Sequence, residues 1–155
     1  MAVVLSDLLD ERHVTLELKG PTRPETLREI IATMTTAGVL GEAEKFLADV
    51  VAREEVHTTF MGNGVAFPHA RTDLVNEIVL GIGRSAKGVP FGEKDELAHL
   101  IFVIGVPKRM ITDYLVCVGA LARLTKGPDE RAALMEAKSA TELIELLRAS
   151  SLLLA

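Results

Sequence analysis

The sequence has no tryptophan and only one tyrosine and one cysteine among its 155 residues. A single cysteine excludes an internal disulfide and fits a reducing compartment. The longest apolar stretches, residues 100–107 and 114–122, are well short of the ~20 residues that span a bilayer, and the chain does not open with a basic signal segment. Lys and Arg form no cluster along a chain of net charge −5, which argues against a nucleic-acid binder. We therefore expect a cytoplasmic protein with no direct membrane insertion, whose partners are proteins or small molecules.

Length and composition together indicate one domain. A chain of 155 residues with 48% hydrophobic residues buries enough apolar surface for one ordinary core. We assign residues 1–148 to a single domain and treat residues 149–155 as a tail. The sequence shows neither an internal repeat nor an interdomain linker.

The first third of the chain predicts a strand and two helices. Residues 13–18, "HVTLEL", alternate apolar and polar residues as a half-buried strand does. Thr22 and Glu25 have capping-box spacing, and the apolar stripe after them predicts a helix that ends near Gly38. A second stripe over residues 43–51 predicts another amphipathic helix.

The middle of the chain predicts strands. Short apolar runs occupy residues 65–67, 78–82 and 100–104, bounded by glycine, proline or charged residues. The run "LIFVIG" does not alternate, which predicts a central strand covered on both faces. Residues 89–91 are expected to form a brief strand within a hairpin or loop excursion.

The last third predicts helices again. An apolar stripe follows Pro107, Pro128 is suited to start a second helix, and Ser139 with Glu142 forms another capping box. The order is strand, two helices, several strands, then two or three helices. The predicted fold class is α/β, with a mixed β-sheet sandwiched between helical layers.

The stretch "GNGVAFPHA", residues 62–70, frames one histidine in an unusual way. His69 follows Pro68, which restricts the backbone just before the ring. A neutral imidazole nitrogen can attack phosphorus and hold a phosphoryl group, provided that the ring is exposed and aimed. Isolated Pro-His pairs also occur in ordinary turns, so from the residues alone a plain loop histidine is the alternative.

The neighbours of His69 offer groups that suit a phosphate. The turn Gly62-Asn63-Gly64 can direct consecutive backbone amides at an anion. Arg53 provides a permanently charged fork that matches phosphate oxygens, and Thr58 or Thr59 adds a hydroxyl donor.

The remaining histidines and the cysteine are better explained by structure. His13 and His99 each border a predicted strand, and His57 is expected at a helix end or on the surface. No two histidines have ligand spacing, and Cys117 falls on an apolar helix stripe as a buried small hydrophobe. We expect neither a metal site nor a cofactor.

Residues 53–70 resemble the phosphorylation-site signature of the type-2 enzyme IIA proteins of the bacterial sugar phosphotransferase system. This fructose and mannitol class includes the nitrogen-regulatory enzyme IIA. The signature is matched by Arg53-Glu54, Thr58-Thr59, Gly62-Asn63-Gly64, Val65-Ala66-Phe67 and Pro68-His69-Ala70. The opening "LSDLLDERHVTLEL", the "PFG" excursion, "HLIFVIGVP" and "SATELIELL" extend the resemblance over nearly the whole chain.

The resemblance implies a phosphotransferase that acts through a phosphohistidine intermediate. His69 would accept the phosphoryl group from an HPr-like phosphocarrier protein and pass it to an enzyme IIB domain, while Arg53 stabilises it. It also implies a mixed sheet between helices, in agreement with the order of predicted elements.

Tyr114 marks a departure from the family pattern. Family members usually carry a second histidine at this position, beside the phosphorylated one. A tyrosine hydroxyl can bond a phosphoryl oxygen or the ring of His69, but it does not become cationic near neutral pH. The alternative function is therefore a regulatory or binding module of the same fold, with weak or no phosphotransfer, that controls a transporter or another partner protein.

Overall fold

The computed structural model describes residues 5–152 and contains a five-stranded mixed sheet. Strands β4 and β5 are antiparallel, β1 pairs with β4 in parallel, and β2 and β3 follow one another in parallel along the other side of β5. The strands are β1 (Val14–Thr15), β2 (Val65–Ala66), β3 (His69–Arg71), β4 (Val79–Pro90) and β5 (Leu97–Val106). The predicted mixed sheet is confirmed.

Within residues 5–152, five α-helices form two layers, one on each face of the sheet. Helices α1 and α2 pack with one apolar cluster, and α3, α4 and α5 pack with the other. Their bounds are α1 (Arg23–Thr36), α2 (Ala43–Val56), α3 (Ile111–Leu124), α4 (Pro128–Glu136) and α5 (Ala140–Leu152). Short 3-10 helices also cover Leu5–Leu8, Glu11–His13 and Lys108–Met110. The residues predicted as a tail begin inside α5, and residues 153–155 lie outside the described part of the chain.

The predicted helix starts are confirmed by their capping contacts. The Thr22 hydroxyl accepts a hydrogen bond from the Glu25 backbone amide at 3.4 Å, and the Ser139 hydroxyl accepts one from the Glu142 amide at 3.0 Å. Pro128 is the first residue of α4, where its missing amide proton costs nothing. Local sequence signals are therefore sufficient to place these helix ends.

Strand β5 is the centre of the sheet, as its unbroken apolar run predicts. Leu100, Phe102 and Ile104 point into the cluster under α3–α5, whereas Ile101 and Val103 point into the cluster under α1 and α2. All five side chains are buried. Two-sided burial removes the solvent-facing positions that would otherwise produce alternation.

Two predicted strands have different lengths in the structure. β1 covers only Val14–Thr15, because the register pairs it with β4 at Ile82 and Gly83 alone. β4 continues to Pro90 through a register shift between Arg84 and Val89, so the predicted excursion is the far half of one long strand. In residues 5–152 no helix is long and apolar enough to cross a membrane.

Candidate functional site

His69 lies at the start of β3, a strand that the sequence did not predict. Three residues directly after Pro68 are too few to show an alternating pattern. Pro68 has no amide proton to donate, but its carbonyl oxygen accepts a hydrogen bond from the Ile104 amide at 3.0 Å. This bond aligns the residues after Pro68 with β5, and the strand forms there. His69 then lies opposite Ile104, toward the end of β5. The sheet thereby holds the histidine backbone rigidly.

The imidazole is buried, contrary to the expectation of an exposed ring. Only 8% of His69 is accessible, because Tyr114 from the first turn of α3 lies against it with ring centroids 4.7 Å apart. The ring nevertheless lines an open pocket of about 400 Å³. The part of the ring that stays accessible is therefore small, and the pocket offers a way to reach it.

The two ring nitrogens have different surroundings. Nδ1 lies 3.3 Å from the Phe67 carbonyl oxygen and 3.1 Å from the Tyr114 hydroxyl. A carbonyl oxygen can only accept, so we place the proton on Nδ1, shared between the two oxygens. Nε2 has no hydrogen bond to a described residue and is absent from the buried atoms that lack a partner. Its lone pair therefore faces the pocket.

The environment of His69 favours the neutral ring. Burial has the largest effect and lowers the pKa of His69. The Phe67 carbonyl oxygen raises this pKa, the charge of Arg53 lowers it, and the charge of Glu54 raises it. The ring consequently stays uncharged down to a lower pH than the imidazole of a free histidine does. Burial also raises the pKa of Tyr114, so the phenol keeps its proton.

Three cationic side chains of the described part of the chain line the pocket. Arg53 lies in the last turn of α2 and was expected there, with its Nη1 3.4 Å from the His57 carbonyl oxygen. Arg71 and Lys108 line the pocket as well and were missed. Arg71 follows His69 by two residues, which puts both side chains on the same face of β3. Strand alternation was the available signal for Arg71, but only the strand register brings Lys108 to the same place.

Asp49 and Thr72 also line this pocket and were not predicted. Asp49 precedes Arg53 by one helical turn, so helical spacing would have found it. Its carboxylate is the one acidic group among the described lining residues. The pocket therefore has a cationic surplus, as a site for a phosphoryl group requires.

Thr59 is not at the pocket, which corrects its predicted phosphate contact. Its amide donates to both Glu54 oxygens at 3.1 Å, and its hydroxyl also donates to Glu54. The Thr58 hydroxyl lies 3.0 Å from the same carboxylate. Glu54 is 2% exposed, and a buried carboxylate needs such donors. These threonines therefore stabilise the end of α2, which carries Arg53, through their hydrogen bonds to Glu54.

The glycine turn is also away from the pocket. Gly62, Asn63 and Gly64 all have positive φ, as the turn prediction requires. However, the Gly64 carbonyl accepts from the His99 amide at 2.7 Å, and an added Cβ on Gly64 would lie 3.1 Å from the His99 ring. His69 pairs with Ile104, five residues further along β5, or roughly 16 Å at ~3.3 Å per residue. The predicted amide cradle is therefore not formed.

Hydrogen bonds or burial explain the other candidates His13, His99 and Cys117. Nδ1 of His13 lies 3.0 Å from the Leu80 carbonyl oxygen, and Nδ1 of His99 lies 2.8 Å from that of Ser85. Cys117 is buried, and burial raises its pKa to about 11. Among residues 5–152 no group of three or more His, Cys, Asp or Glu side chains is placed to hold a metal ion.

Comparison with known sequences gives a match over almost the whole chain. Residues 7–150 match the model of the EIIA 2 family of the phosphoenolpyruvate-dependent sugar phosphotransferase system. The fructose-specific EIIA component of Haloferax volcanii is 31% identical over 135 residues, which cover 86% of this chain and 88% of the relative. The fructose-specific EIIABC component of Bacillus subtilis is 26% identical over 92% of this chain, which spans only 23% of that longer protein.

Solved structures have the same fold. The nitrogen regulatory protein IIA-Ntr of Neisseria meningitidis superimposes with a TM-score of 0.83 at 24% identity, covering 92% of this chain and 98% of that one. The enzyme IIA of a complex between mannitol enzyme IIA and phosphorylated enzyme IIB from Escherichia coli superimposes with a TM-score of 0.79 at 21% identity, covering 91% and 97%. At these identities the likeness supports the architecture.

Proposed function

The chain belongs to the type-2 EIIA family of the phosphoenolpyruvate-dependent sugar phosphotransferase system, and from this we propose that it is a cytoplasmic phosphoryl carrier. In this proposal Nε2 of His69 accepts a phosphoryl group from an HPr-like phosphohistidine protein and passes it to an enzyme IIB acceptor. One observation carries the proposal. A neutral, hydrogen-bonded imidazole turns its free nitrogen toward a pocket lined by Arg53, Arg71 and Lys108.

The uptake step needs only a lone pair and an anion site. The Nε2 lone pair forms a bond to phosphorus while the bond from phosphorus to the donor's histidine nitrogen breaks, and that electron pair returns to the donor ring. No proton has to move, because Nδ1 of His69 keeps its own. Positive charge develops on the ring and is stabilised by the Phe67 carbonyl oxygen, 3.3 Å from Nδ1. Arg53 and Arg71 balance the phosphoryl oxygens.

The delivery step reverses the same geometry. A nucleophile of the acceptor attacks phosphorus, the N–P bond breaks, and its electron pair returns to Nε2 as the lone pair of the neutral ring. Burial favours this direction because it disfavours charge on the imidazole. The known complex between a structurally similar enzyme IIA and phosphorylated enzyme IIB supports a IIB acceptor.

The proposal is tested by labelling. The protein is incubated with phosphoenolpyruvate, the two general phosphotransferase proteins and an enzyme IIB. We expect one phosphate per chain, stable in base and lost in acid, whose phosphorus couples to Nε2 in nuclear magnetic resonance spectra of ¹⁵N-histidine protein. Label that forms on another residue, or no label with any carrier, would contradict the proposal.

Tyr114 is proposed as the positioning residue for the ring. Replacing Tyr114 with phenylalanine keeps the ring that covers His69 but removes the hydroxyl 3.1 Å from Nδ1. Because one neutral hydrogen bond contributes about 0.5–1.5 kcal/mol, transfer should slow about 2- to 13-fold. The ¹⁵N shifts should still report a proton on Nδ1, held by Phe67. Thr112→Val, which removes an exposed hydroxyl from the same helix, is the control and should leave the rate unchanged.

A regulatory module remains the second candidate function, and Tyr114 favours it because the expected second histidine is missing. Similarity of fold to the nitrogen regulatory protein IIA-Ntr agrees with that candidate. Tyr114→His separates the two: a large gain in transfer rate supports a domain that has left the transport chain, whereas an unchanged rate supports a working carrier. Loss of label in Tyr114→Phe beyond a hundredfold would contradict a positioning role.

A further inference from the structure

A second pocket, larger than the one at His69, lies between the segment after β1, the middle of β4 and the end of α4. Its volume is about 600 Å³, within the range of ~300–1,000 Å³ that small-molecule sites occupy. Arg84 in its wall pairs with Leu100, whereas His69 pairs with Ile104, roughly 13 Å further along β5 at ~3.3 Å per residue. No described residue lines both pockets, so this β4 pocket is a separate site.

Arg84 is fixed in the wall of the β4 pocket by three backbone carbonyl oxygens. Its Nε donates to Leu16 at 3.1 Å, and its Nη1 donates to Leu134 at 2.9 Å and to Ala137 at 2.7 Å. Nη2 has no hydrogen bond to a described residue and is absent from the buried atoms that lack a partner, so solvent reaches it. No carboxylate of residues 5–152 lies within 4.0 Å of this guanidinium. A half-buried cation is thus held in place with one donor group free.

A bulge in β4 brings a second cation to the pocket. At a register shift, residues 85–88 of β4 pass a single residue of β5. The Ser85 hydroxyl accepts a hydrogen bond from the Gly88 amide at 3.0 Å, and Gly88 has a φ of 88°, which suits glycine. Exposed Lys87 lines the pocket from this bulge, and exposed Lys19 lines it from the segment after β1. Bulges are frequent beside functional sites, where they redirect side chains.

The carboxylates near the β4 pocket do not neutralise it. Among the described lining residues Glu17 is the one acid, and it is exposed. Glu29 accepts hydrogen bonds from two backbone amides of the segment after β1, at 3.0 and 2.8 Å, and Glu25 accepts one from the side chain that caps α1. Exposed Lys138 follows exposed Glu136 by two residues, so that pair adds no net charge. Three lining cations against one lining carboxylate favour an anionic ligand.

Apolar side chains complete the lining of the β4 pocket. Leu16, Leu18 and Met135 are half-buried there. A bare inorganic ion would leave their accessible carbon atoms in water, whereas an apolar group packed on them would remove that surface from water. The pocket therefore suits an anionic group that is joined to an apolar body.

We propose that the β4 pocket binds a small organic anion, a molecule in which a carboxylate or a phosphate monoester is attached to an apolar body. The anionic group accepts a charge-assisted hydrogen bond from Nη2 of Arg84, with Lys19 and Lys87 adding positive charge. The apolar body packs against the apolar lining. The site is separate from His69, so this inference does not depend on phosphoryl transfer.

The test follows the backbone amide signals of the ¹⁵N-labelled chain during titration with phenylacetate, phenyl phosphate, neutral phenylacetamide and inorganic phosphate. We expect at least one of the two aromatic anions to shift the amides of residues 16–20 and 84–88 in a saturable way. The tighter of the two identifies the anionic group. Phenylacetamide and inorganic phosphate should bind there at least about tenfold more weakly, because the first lacks the charge and the second lacks the apolar body.

Lys87→Glu should weaken binding of the aromatic anion about tenfold, because it places a negative charge beside the ligand. Lys94→Glu is the matched control: Lys94 is exposed, the change in net charge is the same, and Lys94 is not among the described residues that line the pocket. It should leave the affinity unchanged. Arg84→Gln should lose more, but it also removes hydrogen bonds to the end of α4, so Lys87→Glu is the deciding variant.

Three outcomes would overturn the site. The first is the absence of a saturable shift at residues 16–20 and 84–88 with either aromatic anion. The second is an equal loss of affinity in Lys87→Glu and Lys94→Glu, which would mean general attraction to surface charge. The third is a set of shifts confined to residues 69–72, which would place the anions in the His69 pocket alone and leave the carrier function intact.

Discussion

A protein in which His69 is replaced by glutamine is expected to take up no phosphate. Glutamine is close to histidine in size, but its amide nitrogen has no free lone pair and cannot attack phosphorus. Transfer should therefore fall by about 10³-fold or more, to background, as for other lost nucleophiles. Uptake of ³²P from labelled phosphoenolpyruvate measures it. His57→Gln is the control, because His57 is exposed at the end of α2 and is not among the described residues that line the His69 pocket.

Folding of the His69→Gln protein has to be checked beside its activity. The ring packs against Tyr114 and is 8% exposed, so its loss perturbs a buried contact as well as the chemistry. The native chain and the variant should have similar unfolding midpoints in urea, because a side chain of similar volume leaves no large cavity. A variant that is folded and still carries acid-labile phosphate would disprove the assignment of His69.

The helices and the central strand could be predicted because their signals are local. The caps at Thr22 and Ser139 and the unbroken apolar run of β5 each depend on neighbours within a few residues. β1 and β3 could not be predicted in the same way. They are two and three residues long and are held by pairing with β4 and β5, so strand register decides their existence.

The residues of the candidate site show the same difference between local signals and strand pairing. His69 and Arg53 were found through a motif, and the structure brings both to one pocket. The Gly62-Asn63-Gly64 turn was wrongly placed, because proximity in sequence was taken for proximity in space. An extended segment separates the turn from His69. β5 contacts the turn at His99 and pairs with His69 at Ile104, and these two positions are five residues apart.

Burial of the ring is the feature that lay furthest from sequence reasoning. An exposed histidine was expected because a nucleophile needs access. The side chain that covers His69 belongs to Tyr114. Tyr114 contacts the ring because α3 packs against the end of the sheet. Access through the pocket is chemically sufficient. It also desolvates the ring, which keeps the nucleophilic nitrogen unprotonated.

Arg53→Gln is expected to slow phosphoryl transfer to His69 by about a hundredfold, the usual cost of one lost donor to a developing anion. Glutamine can still bond an oxygen but supplies no charge. The charge of Arg53 lowers the pKa of His69, so its removal should raise that pKa in a proton titration of the ring. Arg53→Lys should lose less, about tenfold, because it keeps the charge and loses the fork.

Arg28→Gln provides the comparison for Arg53. Arg28 is exposed on α1 and forms an ion pair with Glu44, near the start of α2, whereas Arg53 lies in its last turn. The same chemical change there should alter neither the transfer rate nor the pKa of His69. An Arg53→Gln protein with native transfer and an unshifted ring would mean that the guanidinium stays away from the phosphoryl group. Arg71 would then be the cation to test, since it shares a face of β3 with the nucleophile.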